Sequence, residues 1–409
     1  MTHININNNK LKYNILLGNK PEKVLKEKPF EIFNKDVINF LSKLSKNLID
    51  KALKNEDFRD FRGFGFWVRE VNLINLRNSR NDIKYRVGRG VVLHIAPSNI
   101  AANSLYTLAF GLLSGCPSII RLSNTNISEL KSIMKLINTI LENNALSQLS
   151  NKISLINYEH DDNINSYFSS LVDSRIIWGG DETIQNFKSY QTSSHCLDIV
   201  FPNKVSSSIL SSEWLLSSDS DEIVNKADLY ARDIGLFSQM ACSSPKSLII
   251  LKDNKSCIQK LLLDFFNKCD LSLSKKNWLA DNHSLNNFKS SIDILIKLPN
   301  FKCIFKGTNL SVFSSDKRDF NKINQFPTKD SCIFISVVDS IEEAINLLPK
   351  NNQTVVCIGL KKEVKEKLVE EAILNGSNRF VSPGNALSMN LYWDGYDIIS
   401  LLSKLISFN

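Results

Sequence analysis

From residue 88 onward, short runs of β-branched residues alternate with amphipathic helical stripes, and this alternation restricts the fold more than any other feature. Strands that alternate with helices predict a mostly parallel, doubly wound sheet with helices on both faces. Ligands on such sheets lie at the carboxyl ends of strands, which here are residues 97–99, 121–123 and 179–180. The predicted elements are a strand within 88–100, a helix at 103–113, a strand at 117–123, a helix at 125–142, strands at 153–156 and 174–178, and a helix at 181–190.

A second alternating region begins near residue 221, and 409 residues are enough for two domains. We predict an N-terminal region and dinucleotide-binding domain over 1–220, joined by 385–409, and a catalytic thiol domain over 221–384. Residues 1–85 show helical patterns, including a stripe at 36–54. The second region is predicted to contain helices at 221–233, 256–268, 341–348 and 361–374 and strands at 246–251, 330–338 and 354–358, and the chain to end in an apolar helix at 396–406.

Charge and hydropathy exclude several classes of protein. The net charge of +8 comes from scattered Lys and Arg with no basic stripe interleaved with aromatics, which argues against nucleic-acid binding. The longest apolar run, near 107–120, contains Gly and Pro and is too short to span a bilayer, so no membrane insertion is expected. The first 20 residues lack the apolar stretch of a signal peptide, and we expect a cytoplasmic protein.

The cysteines indicate free thiols in a reducing compartment. They are widely spaced, form no CxxC pair and accompany only five histidines, so no metal site is predicted. They stand at positions 116, 196, 242, 257, 269, 303, 332 and 357.

Cys242 lies in a stretch of small and polar residues, 236–245, between a predicted helix and a predicted strand. A cysteine in such a loop is accessible, and neighbouring backbone N–H groups favour its reactive thiolate. The alternative is an inert thiol that packs as a small hydrophobic residue.

Two pairs of glycines can be compared with the glycine-rich turns that bind dinucleotides. Gly88 and Gly90 precede their strand, so they do not form a dinucleotide fingerprint. Gly179 and Gly180 follow a strand and precede a helix, where the backbone can approach a phosphate at the helix N-terminus. A plain tight turn explains this pair equally well.

Five segments together resemble the acyl-CoA reductase family of LuxC type, from about residue 60 to the C-terminus. That family is the fatty-acid reductase component of bacterial bioluminescence and belongs to the aldehyde dehydrogenase superfamily. The resemblance implies an α/β, aldehyde-dehydrogenase-like fold of two doubly wound αβ domains with the active site in the cleft between them. The segments are 95–99 (IAPSN), 176–182 (IIWGGDE), 239–245 (QMACSSP), 353–355 (QTV) and 392–397 (YWDGYD).

By this resemblance Cys242 is the nucleophile that accepts the acyl group, and Asn99 donates to the oxyanion together with the Cys242 backbone N–H. A turn residue that caps the next helix is the alternative for Asn99. Arg121 stands where many relatives have a cofactor-contacting lysine; a guanidinium there suits the 2′-phosphate of NADPH, with NADH as the alternative cofactor. A surface ion pair is the other interpretation of Arg121. The expected cofactor-binding residues are Pro97, Ser98, Arg121, Ser123, Gly179 and Gly180.

One departure from the superfamily bears on the reaction. Hydrolytic aldehyde dehydrogenases carry a Glu-Leu-Gly-Gly segment whose glutamate activates water, and the corresponding residues 195–203 (HCLDIVFPN) lack it. A thiol is a good leaving group and needs no activated water, so the absence favours acyl transfer and reduction. Asp198 is a candidate substitute base, with a surface carboxylate at a strand end as the alternative.

The expected activity is NADPH-dependent reduction of a fatty acyl thioester, from acyl-CoA or an acyl-protein, to the aldehyde through an acyl-cysteine. Two alternatives stay open at this point: a short-chain CoA-acylating aldehyde dehydrogenase, and a non-catalytic acyl carrier or scaffold for an acyl-protein synthetase. The family also implies an acyl-protein synthetase as a partner, and the fold class implies a homo-oligomer.

Overall fold

The computed structural model describes residues 2–6, 9–142, 146–252, 258–275, 279–315, 317–320, 322, 326, 328–374 and 376–407. The chain divides into two compact units, the first of Met1–Pro202 with Met389–Asn409 and the second of Asn203–Ser388. The division lies before the predicted boundary at 220. The reason is that strand Val205–Ser211 pairs inside the second sheet.

The first unit is built on a sheet whose central strands are buried except at Arg121, because helices cover both faces. Its strands are β1 (Thr2–Ile6), β2 (Asn9–Gly18), β3 (Arg86–Gly88), β4 (Val92–Ile95), β5 (Ser118–Arg121), β6 (Ile153–Asn157), β7 (Ser174–Trp178) and β8 (Leu197–Phe201). Its α-helices up to residue 202 are α1 (Pro21–Val24), α2 (Lys35–Ala52), α3 (Arg62–Trp67), α4 (Glu70–Asn78), α5 (Asn103–Leu113), α6 (Asn124–Leu141), α7 (Ser147–Ser150), α8 (Asp162–Leu171) and α9 (Asp181–Ser189).

The strand order of the first sheet is β1-β2-β6-β5-β4-β7-β8. Strands from β6 to β8 are parallel, and β1 and β2 extend the sheet as antiparallel strands. Crossovers from β4 run first towards β5 and β6 and then return to β7, so the strand order reverses between β4 and β7. The helical patterns of residues 1–85 did not predict β1 and β2.

The second unit is also built on a parallel sheet that helices cover on both faces. Its strands are β9 (Val205–Ser211), β10 (Pro245–Leu251), β11 (Lys302–Lys306), β12 (Ser311–Ser314), β13 (Cys332–Val338), β14 (Asn352–Ile358) and β15 (Arg379–Val381). Their order in the sheet is β11-β12-β13-β10-β9-β14-β15, with β11 antiparallel to β12. Successive residues of β10 point to opposite faces, since Leu248 and Ile250 lie in one apolar cluster and Ile249 in another.

The four helices predicted in this unit are present, and Ser212–Ser217, His283–Lys297 and Lys317–Phe320 form three further helices that the sequence analysis does not predict. The helix predicted over 256–268 is Gln259–Lys275, and the first two predicted residues, 256 and 257, lie outside the described residues. The helices are α10 (Ser212–Ser217), α11 (Ser220–Gly235), α12 (Gln259–Lys275), α13 (His283–Lys297), α14 (Lys317–Phe320), α15 (Ile341–Leu347) and α16 (Lys362–Ile373).

The C-terminal segment corrects one prediction, because only Ile398–Leu402 of the apolar helix predicted over 396–406 is helical. The Asp397 carboxylate accepts a hydrogen bond from the Ser400 N–H and begins a helix of one turn. The chain then leaves the helix to pair antiparallel with β3, with Ser403 opposite Gly88. The elements are β16 (Tyr392–Trp393), β17 (Tyr396–Asp397), α17 (Ile398–Leu402) and β18 (Ser403–Leu405).

Asp233, near the end of α11, ties this helix to the loop after β15. Its carboxylate accepts hydrogen bonds from the N–H groups of Gly384 (2.7 Å) and Ala386 (3.1 Å). The side chain is buried, and burial raises the pKa of Asp233 to about 7 against the opposing effect of these two donors.

A carboxyl whose pKa is higher in the folded than in the unfolded chain contributes stability at low pH and loses it as the pH rises. For Asp233 the loss falls between about pH 4 and pH 7. Asp233→Asn should therefore flatten the pH dependence of the urea midpoint between pH 5 and pH 8. Asparagine has a single side-chain oxygen, so one of the two N–H donors loses its acceptor at every pH. Asp221→Asn, an exposed change on the same helix, should keep the wild-type slope. Equal slopes in all three proteins would contradict this account.

Candidate active site

The predicted turn residues of the first unit lie at the carboxyl ends of three adjacent parallel strands. The turn after β4 contains Pro97, Ser98 and Asn99. Strand β5 ends at Arg121, and Ser123 follows it. The turn after β7 contains Gly179 and Gly180. Because β5, β4 and β7 are neighbours in the sheet, these turns share one edge. The β4 and β7 turns flank the point where the strand order reverses, which is where open α/β sheets bind their ligands.

The turn after β4 is held by the first turn of α6. Asn126 donates through Nδ2 to the Pro97 carbonyl (2.6 Å), and Thr125 donates through Oγ1 to the Ser98 carbonyl (3.2 Å). Pro97 is buried, whereas Ser98 and Asn99 are exposed. Sequence reasoning missed Asn126, although an asparagine in the first turn of a predicted helix, just after a strand end, was the available signal.

Arg121 contacts an aromatic side chain. Its guanidinium lies over the Tyr158 ring, 5.5 Å from the centroid, and Nη2 donates to the Tyr158 carbonyl at 3.4 Å. Burial raises the pKa of Tyr158, so this phenol stays neutral beside the cation. The side chain is partly exposed, which leaves a cation at the strand edge that can meet an anionic ligand.

The turn after β7 requires a small residue at Gly179. A Cβ at this position would lie 2.9 Å from the Thr183 side chain, closer than such contacts allow. Gly180 is the N-cap residue of α9. Because glycine has no side chain, Gly180 provides no side-chain acceptor to the N–H groups of the first helical turn. A helix start can receive the phosphates of a dinucleotide, but Asp181 and Glu182 lie in the same first turn, and phosphate binding here stays a prediction.

In the second unit, Cys242 lies in the loop between α11 and β10. The loop begins with a left-handed turn, with φ of 54° at Phe237, 49° at Ser238 and 62° at Gln239. A residue other than glycine costs about 1–2 kcal/mol in this left-handed conformation, so the loop needs contacts that hold it in place. Because Cys242 precedes its strand, it lies at the amino edge of this parallel sheet.

Three neighbouring strands anchor the loop. The buried Gln239 side chain donates through Nε2 to the carbonyls of Pro245 (2.8 Å) and Cys332 (3.2 Å). Ser206 on β9 donates through Oγ to the Cys242 carbonyl (2.7 Å). The Asp330 N–H, before β13, donates to the Ser238 carbonyl (2.9 Å). Sequence reasoning did not assign these roles, because the anchors come together only in the sheet.

Lys246 completes the anchoring of the loop. Its Nζ donates to the Gln239 main-chain carbonyl, and burial lowers the pKa of this lysine to about 8.

Other cysteines are held as thiols. Burial raises the pKa of Cys116, Cys196 and Cys357 to about 11 and that of Cys332 to about 12. Thiols with such pKa values have little nucleophilic thiolate at neutral pH.

Asp198, the candidate substitute base, forms a bidentate ion pair with Arg175. Nε and Nη2 of Arg175 donate to its two carboxylate oxygens at 2.7 and 2.6 Å. The Arg175 side chain is 2% exposed, and Nη1 also donates to the Phe187 carbonyl (2.7 Å). The Asp198 carboxylate therefore neutralises a buried cation and is not free to activate water.

His94 is a buried neutral side chain beside Thr107, with Nδ1 and Oγ1 2.8 Å apart, and burial lowers the pKa of His94 to about 3. Within the described part of the chain, no group of three His, Cys, Asp or Glu side chains is placed to hold a metal ion. None of the described helices combines the length and apolar character needed to cross a membrane.

Several solved structures with a similar fold are aldehyde dehydrogenases. The glyceraldehyde-3-phosphate dehydrogenase GapN of Methanocaldococcus jannaschii, complexed with NADP, has a TM-score of 0.61 at 13% identity, covering 90% of this chain and 88% of that one. The aldehyde dehydrogenase of Bartonella henselae has a TM-score of 0.61 at 13% identity, covering 96% and 88%. The AldA indole-3-acetaldehyde dehydrogenase of P. syringae, in complex with NAD+ and IAA, has 0.62 at 12%, covering 90% and 82%. Comparison with curated proteins finds no match.

The fold is thus that of the aldehyde dehydrogenases, as predicted. Residues 67–405, most of the chain, match the family described as acyl-CoA reductase (LuxC), and the chain belongs to that family. The predicted family is confirmed. Family and fold together support an oxidoreductase that acts on aldehydes. The roles of the site residues and the location of the active site between the domains stay predictions.

The Arg175–Asp198 pair predicts a large loss of stability when one partner is neutralised. Asp198→Asn leaves the buried guanidinium uncompensated and should cost about 3 kcal/mol or more in the free energy of unfolding, measured by urea denaturation. Asp60→Asn, which neutralises an exposed pair with Arg59, should cost less than about 1 kcal/mol. Similar small losses in both variants would show that Asp198 does not neutralise Arg175.

Proposed function

We propose that this protein reduces an acyl thioester to the aldehyde through a covalent acyl-cysteine on Cys242, with NADPH as the hydride donor. The supporting observation is the loop of Cys242: a strained left-handed turn, anchored from three neighbouring strands, in a chain of the acyl-CoA reductase family. A backbone this constrained is typical of functional sites, where strain is maintained because geometry matters.

In the acyl-transfer step, the Cys242 thiolate attacks the carbonyl carbon of the thioester and forms a new carbon–sulfur bond. The bond to the leaving thiol then breaks, and that thiolate takes up a proton from water. Asn99 and the Cys242 N–H are proposed to stabilise the charge on the carbonyl oxygen during the attack. The acyl donor is acyl-CoA or an acyl-cysteine of a partner protein such as an acyl-protein synthetase, and a fatty acyl chain is the proposed substrate.

The residues at the edge of the first sheet fit a nicotinamide dinucleotide. We propose that Gly179 and Gly180 receive its pyrophosphate at the start of α9, beside the turn of Pro97 and Ser98, and that Arg121 binds the 2′-phosphate, with Ser123 nearby. A bound NADPH would supply the hydride that converts the acyl group to the aldehyde and returns Cys242 to its thiolate.

Reduction is favoured over hydrolysis by the position of Asp198. A hydrolytic enzyme needs a carboxylate available to activate water at the acyl-cysteine. The carboxylate in the corresponding segment is committed to Arg175 through two charge-assisted hydrogen bonds.

Cys242→Ala is the direct test of the proposed activity. The variant should lose both covalent labelling by radiolabelled acyl-CoA and acyl-CoA-dependent NADPH oxidation, because the nucleophile is gone. Cys303→Ala removes an exposed thiol of the same unit and should keep both. Retained labelling in the Cys242 variant would refute the assignment. Wild-type labelling without aldehyde release would identify an acyl carrier, and a preference for short chains would identify an acylating dehydrogenase.

Arg121→Ala tests the choice of cofactor. Loss of a charge-assisted contact to the 2′-phosphate should raise the KM for NADPH about tenfold or more and change the KM for NADH little. Lys131→Ala, on the exposed face of α6, should change neither value. An equal rise in both KM values would show that Arg121 does not recognise the 2′-phosphate.

A further inference from the structure

Lys246 places a positive charge under the loop that carries Cys242. It is the second residue of β10, and its Nζ donates to the main-chain carbonyl of Gln239, the last residue of the left-handed turn. Burial lowers the pKa of Lys246 to about 8, while nearby Cys242, Asp330 and Cys332 oppose this shift. A lysine with this pKa is mostly protonated at neutral pH.

The hydrogen bond to the Gln239 carbonyl does not need a charged donor. The Gln239 carbonyl needs only one hydrogen-bond donor, and the buried Gln239 side chain already ties the same residue to Pro245 and Cys332. A neutral side chain could supply that donor without the free-energy cost of removing an ammonium group from water. The charge is therefore explained best by an anion that it faces.

Three titratable groups on the surrounding segments act electrostatically on this ammonium: Cys242, Asp330 and Cys332. Cys332 stays a thiol, because burial raises its pKa to about 12 even with the Lys306 ammonium nearby. The Asp330 carboxylate accepts a hydrogen bond from Ser290 Oγ (3.0 Å), which is a neutral donor, so Asp330 shares the Lys246 ammonium with Cys242. Cys242 is the group that must become an anion in the proposed reaction.

We propose that Lys246 is a positioning residue that holds the left-handed turn at Gln239 and, by its charge, favours the thiolate of Cys242. This inference rests on the proposed function for the role of Cys242. An opposite charge within a few ångströms typically lowers the pKa of an acid by one unit or more, and one unit is a tenfold change in thiolate at a pH below the pKa.

The test measures alkylation of Cys242 by iodoacetamide across pH 5.5 to 10, with the modified peptide quantified by mass spectrometry. Lys246→Met and Lys246→Gln should raise the midpoint of the alkylation profile by about one unit or more, which means about tenfold slower alkylation at pH 7. Lys246→Arg, which keeps the charge, should retain the lower midpoint. Lys252→Met removes an exposed lysine just after the same strand and serves as the matched control, with an unchanged profile.

Lys246→Gln distinguishes charge from structure, because glutamine keeps a hydrogen-bond donor and loses the charge. A wild-type midpoint in a folded Lys246→Gln protein, judged by circular dichroism, would overturn the proposal. Alkylation needs no acyl donor and no NADPH, so its result does not depend on the proposed reaction. Unshifted alkylation in the lysine variants, with activity lost in Cys242→Ala, would refute the inference alone. Shifted alkylation, with acyl transfer intact in Cys242→Ala, would refute the proposed function alone.

Discussion

The burial of parallel strands on both faces is the constraint on which this structure depends. Every residue of β4, β6 and β14 is buried, so the middle of either sheet offers no room for polar chemistry. Backbone N–H and C=O groups are satisfied inside the ladders, and helices cover the side chains above and below. The polar side chains inside these strands, such as His94, are closed off from solvent, and the predicted site residues lie instead in the turns and loops at the strand ends.

The two units use opposite ends of their strands. In the first, the turns after β4, β5 and β7 are at the carboxyl edge, where helix starts and a cation at Arg121 suit an anionic ligand. In the second, the loop of Cys242 precedes β10 and is tied to residues at the amino ends of β9 and β13. A thiol at this edge receives its environment from loop anchors and from Lys246.

Much of the αβ alternation was predictable because it is local. The stripe over 103–113 and the run over 174–178 coincide with α5 and β7, since period and β-branching are read within one element. Pairing between distant segments was not predictable. Strand β2, near the N-terminus, pairs with β6, which is distant in the sequence. Strand β18 lies in the apolar run predicted as a helix and pairs with β3. The boundary between the units lies before residue 220 for the same reason, because the pairing of β9 with β10 and β14 places β9 in the second unit.

The amino-acid sequence by itself determined the αβ alternation over much of both units, the family, and the residue types at the strand ends, because these depend on local pattern and on motifs of a few residues. Only the tertiary structure decided what those residues touch. It paired Asp198 with a buried arginine, placed Arg121 over Tyr158 and brought Lys246 under the loop of Cys242. The physical reason is that hydrogen bonding and charge compensation depend on distances of a few ångströms between segments far apart in the chain. No local pattern encodes those distances.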